Sequence, residues 1–409
     1  MVNQSTQEIR AFFQIGESYS DKLIEEEIDV LDIDKSNKLG YKRYVFENLV
    51  FNKLVCFSNI KLDSGSKIEF NHCTFNDEFA IENLETNEIY FNKCTFKNTV
   101  ILSKIKSKSI WFKGCSSDLL GLYESEIRSG IFIKSSTINI LRFNEISCHR
   151  FEIKTDFKTI KEIEFHSCDK INYLEIDAIT KVGHLYIGEI NTCRLKGNFN
   201  EIQLFSEIFK NIELGNIDES VKSKVDKLIY QSRSFEGALI LQNLHITSLN
   251  FANLNSNKGS VRFTNLEIAK TSLLDVSISS FIWNNVILKD EVYFKRCDFS
   301  GLKPNNVSWL KDRKLSPDYI SKKYDKNDLI EMRYQRDMYR QLKIAYENNK
   351  DKIESLAFYR NEMRLYWKEI KNTDRFSKNS FWEHFQSLVY FFQNPKKSLH
   401  LIFSFINHS

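Results

Sequence analysis

Residues 68–75 read IEFNHCTF, and the same phrase returns at a step of 21 residues as IYFNKCTF (89–96), IWFKGCSS (110–117) and IFIKSSTI (131–138). The aligned positions carry Ile68, Ile89, Ile110 and Ile131, and further along Cys73, Cys94, Cys115 and Ser136. A fixed step of this length is typical of a solenoid, because each repeat buries its apolar face only against its neighbours. The phrases alternate in polarity and lack helical spacing, so they predict stacked β-strands.

A shorter phrase, apolar–any–Asn–apolar, recurs roughly every ten residues along the chain. It is seen in Phe46-Glu47-Asn48-Leu49, Ile81-Glu82-Asn83-Leu84, Phe251-Ala252-Asn253-Leu254 and Phe263-Thr264-Asn265-Leu266. We expect the apolar members to point inward and the Asn to form a corner, because Asn tolerates left-handed backbone and hydrogen-bonds its own turn. Two such phrases then make one coil of a parallel β-helix.

The Ala-Asn-Leu and Thr-Asn-Leu phrases at 252–254 and 264–266 resemble those of degenerate pentapeptide-repeat proteins. That family forms right-handed quadrilateral β-helices, so the resemblance implies a right-handed coil over residues 44–303. Coils of 21 or 22 residues with large inward Phe or Ile depart from the family's tight pattern. We therefore predict a mainly β fold, a right-handed parallel β-helix, followed by a small α-helical module.

Composition places a boundary near residue 303. All 13 Gly lie at or before Gly301, and all three Pro lie after it. Residues 304–409 hold 20 Lys and Arg against 13 Asp and Glu, a net charge of +7, so the whole-chain charge of +4 leaves −3 for residues 1–303. The predicted organisation is an N-terminal cap (1–43), a solenoid (44–303) and a basic α-helical module (304–409).

A helical interruption of the solenoid is expected near residues 206–237. Within it, residues 217–234 place Val221, Val225, Leu228 and Ile229 at helical spacing, with Asp218 or Ser220 as a start and Gly237 beyond the end. Such an insertion either packs on the side of the β-helix or binds a partner, and packing is the favoured interpretation.

Residues 326–348 and 352–371 each carry apolar residues on one helical face, and the turn Asn348-Asn349-Lys350-Asp351 joins them into a helical hairpin. The segment 339–363 resembles a single tetratricopeptide-like unit. It also resembles the hairpin that follows the β-helix in bacterial membrane-associated pentapeptide-repeat proteins. In those proteins an aromatic amphipathic helix and transmembrane helices come next, so the resemblance implies a membrane-associated sensor or scaffold.

The last segment supplies the predicted membrane or partner contacts. Its aromatic, apolar and basic residues are Phe381, Trp382, Phe385, Phe391, Lys396, Lys397, Leu401 and Phe403. The apolar run after Lys397 is about ten residues, and a bilayer span needs about twenty. Three interpretations remain open: a chain cut before a membrane domain, a short amphipathic helix that docks on a partner or a membrane surface, or a helix that covers the end of the solenoid.

The start of the chain, MVNQSTQEIRAFF, lacks the basic and apolar regions of an export signal and predicts a capped helix from about Thr6. We therefore expect a cytoplasmic protein at the inner face of the membrane, with reduced thiols.

Cys73, Cys94 and Cys115 recur at coil spacing and are predicted to form an inward ladder. Adjacent His and Cys residues point to opposite faces of a strand, so no metal site is expected.

Catalytic motifs are not recognisable: the sequence has no phosphate-binding loop, GxSxG or HExxH, and we predict no catalytic residues and no cofactor.

Nucleic acid is disfavoured as a partner. A basic face at Arg333, Arg336 and Arg340 could follow a phosphate backbone, but nearby acids favour ion pairs along the helices instead. The solenoid, with a net charge of −3, lacks the acidity needed to mimic DNA.

The sequence thus favours a non-catalytic binding or sensor scaffold that couples a β-helix surface to a membrane or pore module. A protein partner or self-association is expected, because an uncapped solenoid end exposes a strand edge. The second hypothesis is a soluble oligomeric interaction module with no membrane role. The third is a β-helix enzyme acting on polysaccharides.

Overall fold

The computed structural model describes residues 4–15, 18–20, 22–26, 28–34, 42–155, 160–168, 170–188, 190–205, 210–216, 222–232, 237–315 and 326–372. The helices are α1 (Gln4–Ile15), α2 (Lys326–Asn348) and α3 (Lys352–Asn372). The strands of the first coils are β1 (Ser18–Ser20), β2 (Leu23–Ile24), β3 (Ile28–Asp34), β4 (Arg43–Glu47), β5 (Val50–Phe51), β6 (Val55–Lys61), β7 (Lys67–Asn71), β8 (Thr74–Phe75), β9 (Phe79–Glu85), β10 (Glu88–Asn92), β11 (Thr95–Phe96) and β12 (Thr99–Ser103).

Longer strands follow, many of which bend around a corner. They are β13 (Lys106–Lys113), β14 (Ser116–Tyr123), β15 (Glu126–Lys134), β16 (Thr137–Asn144), β17 (Ser147–Thr155), β18 (Ile160–His166), β19 (Ile171–Ile187), β20 (Thr192–Phe205), β21 (Asn211–Leu214), β22 (Ser223–Gln231), β23 (Ala238–Ala252), β24 (Asn255–Leu274), β25 (Ser277–Lys295) and β26 (Leu302–Ser308). All pair in parallel with strands of the neighbouring coils, and the solenoid makes about 11 right-handed turns.

The predicted stacking of the 21-residue phrase is confirmed. Ile68 is in register with Ile89, Ile89 with Ile110, and Ile110 with Ile131. All four side chains are at most 2 % exposed. Inward residues alternate with outward ones along each strand. Each inward position of the repeat therefore forms its own apolar column along the axis, and these columns together fill the core.

Aromatic ladders run through this core beside the isoleucine column. Phe46, Phe70, Phe91 and Phe112 stack with ring centroids 4.7, 5.0 and 4.7 Å apart. This spacing matches the distance between neighbouring strands, so each ring meets its equivalent one coil away. Complete burial of a Phe side chain contributes about 1.5–3 kcal/mol, which explains why large residues occupy inward positions.

The corners adopt the left-handed backbone expected of the Asn phrase. Asn48, Asn83, Asn253 and Asn265 have φ between 52° and 55°. Arg296, which takes the third place of the related phrase Phe294–Cys297, also has a φ of 51°. Asn side chains add a ladder along one corner: Asn265 donates to Asn243 and accepts from Asn285, over 2.7 and 3.0 Å.

The solenoid extends beyond both expected boundaries. β1, β2 and β3 pair with β4, β5 and β6, so coils begin at Ser18 rather than at residue 44. β26 pairs with β25 and carries the last coil to Ser308 rather than to residue 303.

The expected helices at 326–348 and 352–371 are confirmed, with ends at Asn348 and Asn372. The expected N-terminal helix is confirmed as well, and its Ile9 is completely buried.

The expected helix over residues 217–234 is wrong where the structure describes that segment. Ser223–Gln231 is strand β22, which lies between β20 and β23. Val225, Leu228 and Tyr230 are buried, and Lys227 between them is exposed at a corner. Two runs of alternating apolar residues joined by a corner have the same three- and four-residue spacing as a helix. The parallel pairing on both sides of the segment shows that it is a strand.

Candidate functional site

One outward-facing column runs along almost the whole solenoid. Its members, called here the central column, are Glu69, Tyr90, Trp111, Phe132, Glu152, Glu175, Arg194, Glu213, Ile240, Arg262, Ile282 and Lys303. Each residue is in register with the next, about 4.8 Å away along the axis. The chemistry of this face therefore changes step by step from coil to coil.

Aromatic rings occupy the early part of the central column. Trp111 stacks on Phe132 at 4.0 Å, and the Lys134 ammonium lies 5.3 Å from the Trp111 ring centroid. The Trp111 indole nitrogen donates to the Ser109 hydroxyl over 3.2 Å. The ring faces are thus largely occupied by one another and by lysine, and this part of the face is packed rather than open.

Buried carboxylates flank these rings. Burial would raise the pKa of Glu69, but hydrogen bonds from Arg43 and Lys67 outweigh it and lower that pKa. Burial would likewise raise the pKa of Glu152, and the neighbouring Lys154 and Lys134 lower it. Both carboxylates stay ionised and paired, so they act as structural anchors of the face.

An open groove of about 580 Å³ lies at the C-terminal end of the same face. Its described lining residues are Glu213, Ile240, Gln242, Arg262, Thr264, Ile282, Asn284, Lys303, Pro304, Asn305 and Asn349. The floor consists of the end of the central column and of a second column in register, called here the polar column: Gln242, Thr264, Asn284 and Asn305. The turn between α2 and α3 supplies the wall through Asn349.

The groove floor carries two cations without an ionic partner in the described part of the chain. Arg262 and Lys303 are exposed, lie in the central column on either side of Ile282, and form no ion pair or side-chain hydrogen bond with described residues. Glu213, the one carboxylate among the described lining residues, is engaged by Arg194 and Gln242, both over 2.8 Å. The groove is therefore electropositive.

The polar column offers hydrogen-bonding groups beside these cations. Asn305 donates to the Asn284 side-chain oxygen over 2.8 Å, which leaves the Asn284 amide nitrogen free of partners among described residues. The Thr264 hydroxyl likewise has no described partner. Donors and acceptors thus line one side of the groove, and cations alternate with Ile240 and Ile282 on the other.

The hairpin is hydrogen-bonded to this end of the solenoid. Asn349 donates to the Pro304 carbonyl over 2.5 Å, and the Trp309 indole donates to the Tyr346 hydroxyl over 2.5 Å. Gln341 accepts from the Phe299 backbone over 2.6 Å, and burial raises the pKa of the Tyr346 phenol. Helix α2 therefore caps the last coil, and the α2–α3 turn forms the groove wall.

The basic face predicted on α2 is neutralised across the hairpin. Arg333 and Arg336 both contact the Glu369 carboxylate of α3, Arg333 over 2.6 Å, and Arg340 contacts Glu362 over 3.0 Å. The expectation of pairs along single helices is corrected accordingly, because these pairs join α2 to α3. Arg340 adds one pair of the expected kind with Asp337.

The predicted aromatic and basic tail contacts lie outside the described residues. They are Phe381, Trp382, Phe385, Phe391, Lys396, Lys397, Leu401 and Phe403. In the described part of the chain, no helix is long and apolar enough to cross a membrane. No group of three His, Cys, Asp or Glu side chains suited to a metal ion occurs among those residues either.

The cysteine ladder is confirmed as an inward feature, and none of the eight cysteines forms a disulfide bond. Cys94 donates to the Phe70 carbonyl, Cys115 to Phe91 and Ser136 to Phe112, over 3.2, 3.4 and 3.4 Å. Ser136 therefore fills the next rung because its hydroxyl reaches the same acceptor. Burial raises the pKa of the Cys297 thiol to about 12, which keeps it protonated and unreactive.

The groove does not follow from the sequence. Its lining residues come from five coils and from a turn that follows the solenoid, so no local motif marks them. One signal was present: polar residues directly before the corner Asn recur as Thr264-Asn265, Asn284-Asn285 and Asn305-Asn306. No protein-family model, curated protein or solved structure matches this chain.

Proposed function

We propose that the protein is a non-catalytic recognition scaffold whose ligand site is the groove between the solenoid face and the α2–α3 turn. The observation that carries this proposal is the pair of cations Arg262 and Lys303, which have no ionic partner among the described residues and lie next to the Thr264 hydroxyl and the Asn284 amide nitrogen, likewise without a described partner. The volume falls within the roughly 300–1,000 Å³ range of small-molecule sites. Glu213, the carboxylate among the described lining residues of the groove, already accepts two hydrogen bonds, which suits a structural role better than acid or base chemistry.

Ligand binding in the groove would affect the helical module, because the module forms one side of the groove. Asn349 forms the groove wall, and the turn that contains it directly follows α2, which packs on the last coil through Tyr346 and Gln341. A ligand that contacts both floor and wall stabilises the docked hairpin. By linkage, any event that stabilises docking strengthens ligand binding by the same factor.

A thermal-shift screen of small-molecule and glycan classes tests this function. We expect some classes to raise the melting temperature of the wild type and not of the Arg262→Glu, Lys303→Glu variant. The matched control is Lys108→Glu, Arg128→Glu, which makes the same charge change at two exposed residues of another corner. Ligands that stabilise the groove variant as well as the wild type, a screen without stabilising classes, or chemical turnover of a bound ligand would each contradict the proposal.

A second candidate function, membrane attachment through residues 373–409, is supported by exposed apolar residues at the start of α2. Ile330 and Tyr334 are 48 % and 47 % exposed, and α3 ends nearby where the tail begins. Flotation with anionic liposomes of chains ending at Phe376 and Ser409 tests it. Flotation of the longer chain alone supports attachment. If both chains stay at the bottom of the gradient and self-associate, the soluble oligomeric module is the correct alternative.

A further inference from the structure

The floor of the groove has a repeat that points to one ligand chemistry. Along the central column, Ile240, Arg262, Ile282 and Lys303 alternate apolar and cationic side chains. Because neighbouring strands are about 4.8 Å apart, the two cations stand about 10 Å apart at their backbones. Beside them, the polar column repeats a hydrogen-bonding group at every coil.

From this arrangement we infer that the groove binds a linear, acidic oligosaccharide with an acid group on every second sugar unit, lying along the solenoid axis. The inference rests on the proposed function and specifies its ligand. Carboxylates meet Arg262 and Lys303, and the intervening sugar ring packs its C–H face on Ile282. Hydroxyl groups both donate and accept hydrogen bonds, as do the side chains of Thr264 and Asn284.

Other anionic polymers fit this floor less well. Single-stranded nucleic acid binds through aromatic platforms that stack on bases, and the described lining residues include none. An acidic peptide in β conformation presents same-face side chains about 6.8 Å apart, which does not match a cation at every second coil. A hydroxyl-rich chain with widely spaced acids satisfies both columns at once.

The wall supports the same orientation of the ligand. Asn349 stands beside Pro304 and Asn305 at the last coil, where β26 ends the floor. The floor runs from Glu213 to Lys303 over four register steps, or about 19 Å. A short oligosaccharide therefore spans the floor and reaches the α2–α3 turn at one end.

Isothermal titration calorimetry of the full chain with an octasaccharide of alternating glucuronate and N-acetylglucosamine tests the inference. We expect binding that weakens as salt rises, since exposed charges are screened. Loss of either cation in Arg262→Gln or Lys303→Gln should weaken binding about tenfold, as expected for a charged hydrogen bond. Arg262→Lys keeps the charge and should retain most of the affinity, and the Lys108→Glu, Arg128→Glu control should bind like the wild type.

A neutral malto-octaose of the same length should bind at least tenfold more weakly. Absence of binding by the acidic octasaccharide, equal binding of the neutral one, or full affinity in both Gln variants would overturn the inference. Circular dichroism of each variant establishes that it is folded. If another ligand class binds the wild type but not the Arg262→Glu, Lys303→Glu variant, the recognition scaffold stands and this ligand chemistry fails.

Discussion

At the scale of single residues, the corner asparagines combine two contributions that substitution can separate. Asn265 has a left-handed φ of 53° and hydrogen-bonds to Asn243 and Asn285. Left-handed backbone costs an L-residue other than Asn or Asp about 1–2 kcal/mol, and Gly avoids that cost. The ladder bonds add about 0.5–1.5 kcal/mol each.

We predict that Asn265→Ala destabilises more than Asn265→Gly, by about 1 kcal/mol in urea denaturation, since both lose the ladder but only Ala keeps the strain. Ser272 provides the matched control because it lies in β24 without a left-handed φ. There the order should reverse, with Gly less stable than Ala. The same order of Ala and Gly at both positions would refute the role assigned to the corner.

The buried carboxylates of the central column predict a pH dependence. The pKa values of Glu69 and Glu152 are lowered from their ordinary value of 4.5, although burial alone would raise them. A carboxyl with a lower pKa in the folded state contributes its full stability above the unfolded value of 4.5. That contribution is lost as the pH falls through the folded pKa.

We therefore expect the melting temperature of the wild type to fall below pH 4.5 more steeply than that of Glu69→Gln or Glu152→Gln. At pH 7 both variants should melt at lower temperature than the wild type, because the cationic partners lose an ionised acceptor. Glu82→Gln is the control, since its side chain is 54 % exposed and pairs with the exposed Lys104. Parallel acid profiles for all four proteins would show that the two carboxylates do not stabilise the fold.

At the scale of elements, the hairpin is defined by polar contacts to the last coil as much as by its apolar face. Trp309 and Tyr346 are 8 % and 2 % exposed, so their hydrogen bond is shielded from water. Arg313 adds two contacts to Glu354 over 2.6 and 3.1 Å. These bonds orient the α2–α3 turn against the groove.

Tyr346→Phe should loosen the hairpin, because it leaves the buried Trp309 indole without its acceptor at a cost of about 1–3 kcal/mol. We expect amide hydrogen exchange over residues 338–346 to accelerate at least fivefold, measured by mass spectrometry. Tyr334→Phe, at an exposed position of the same helix, is the control and should leave the exchange unchanged. Identical exchange in the two variants would contradict the docking described for α2.

The elements also show what the sequence could and could not predict. The isoleucine column, the corner asparagines and the bounds of α2 and α3 follow from local periodicity, which one chain displays by itself. β22 did not follow, because a strand that bends at Lys227 has the spacing of a helix, and only pairing with β20 and β23 distinguishes them. The groove required both the coil register and the docked position of Asn349, neither of which is a local property.

At the scale of the whole molecule, one strand register relates all the coils to one another. Residues that are far apart in sequence become neighbours along the axis only if every coil adds one strand spacing. The central column, the polar column and the groove floor all depend on that rule. The distance between two outward residues at equivalent positions should therefore increase in proportion to the number of coils between them.

Double electron–electron resonance between spin labels tests this register most directly. Glu47 and Lys196 are seven register steps apart, and Lys113 and Lys196 are four. Cysteines introduced at these positions carry the labels, and Cys56 is replaced by Ser. We expect separations of about 34 and 19 Å, in proportion to the number of register steps. Separations that do not increase with the number of coils, or broad distributions without a maximum, would contradict the stacked register and the groove built on it.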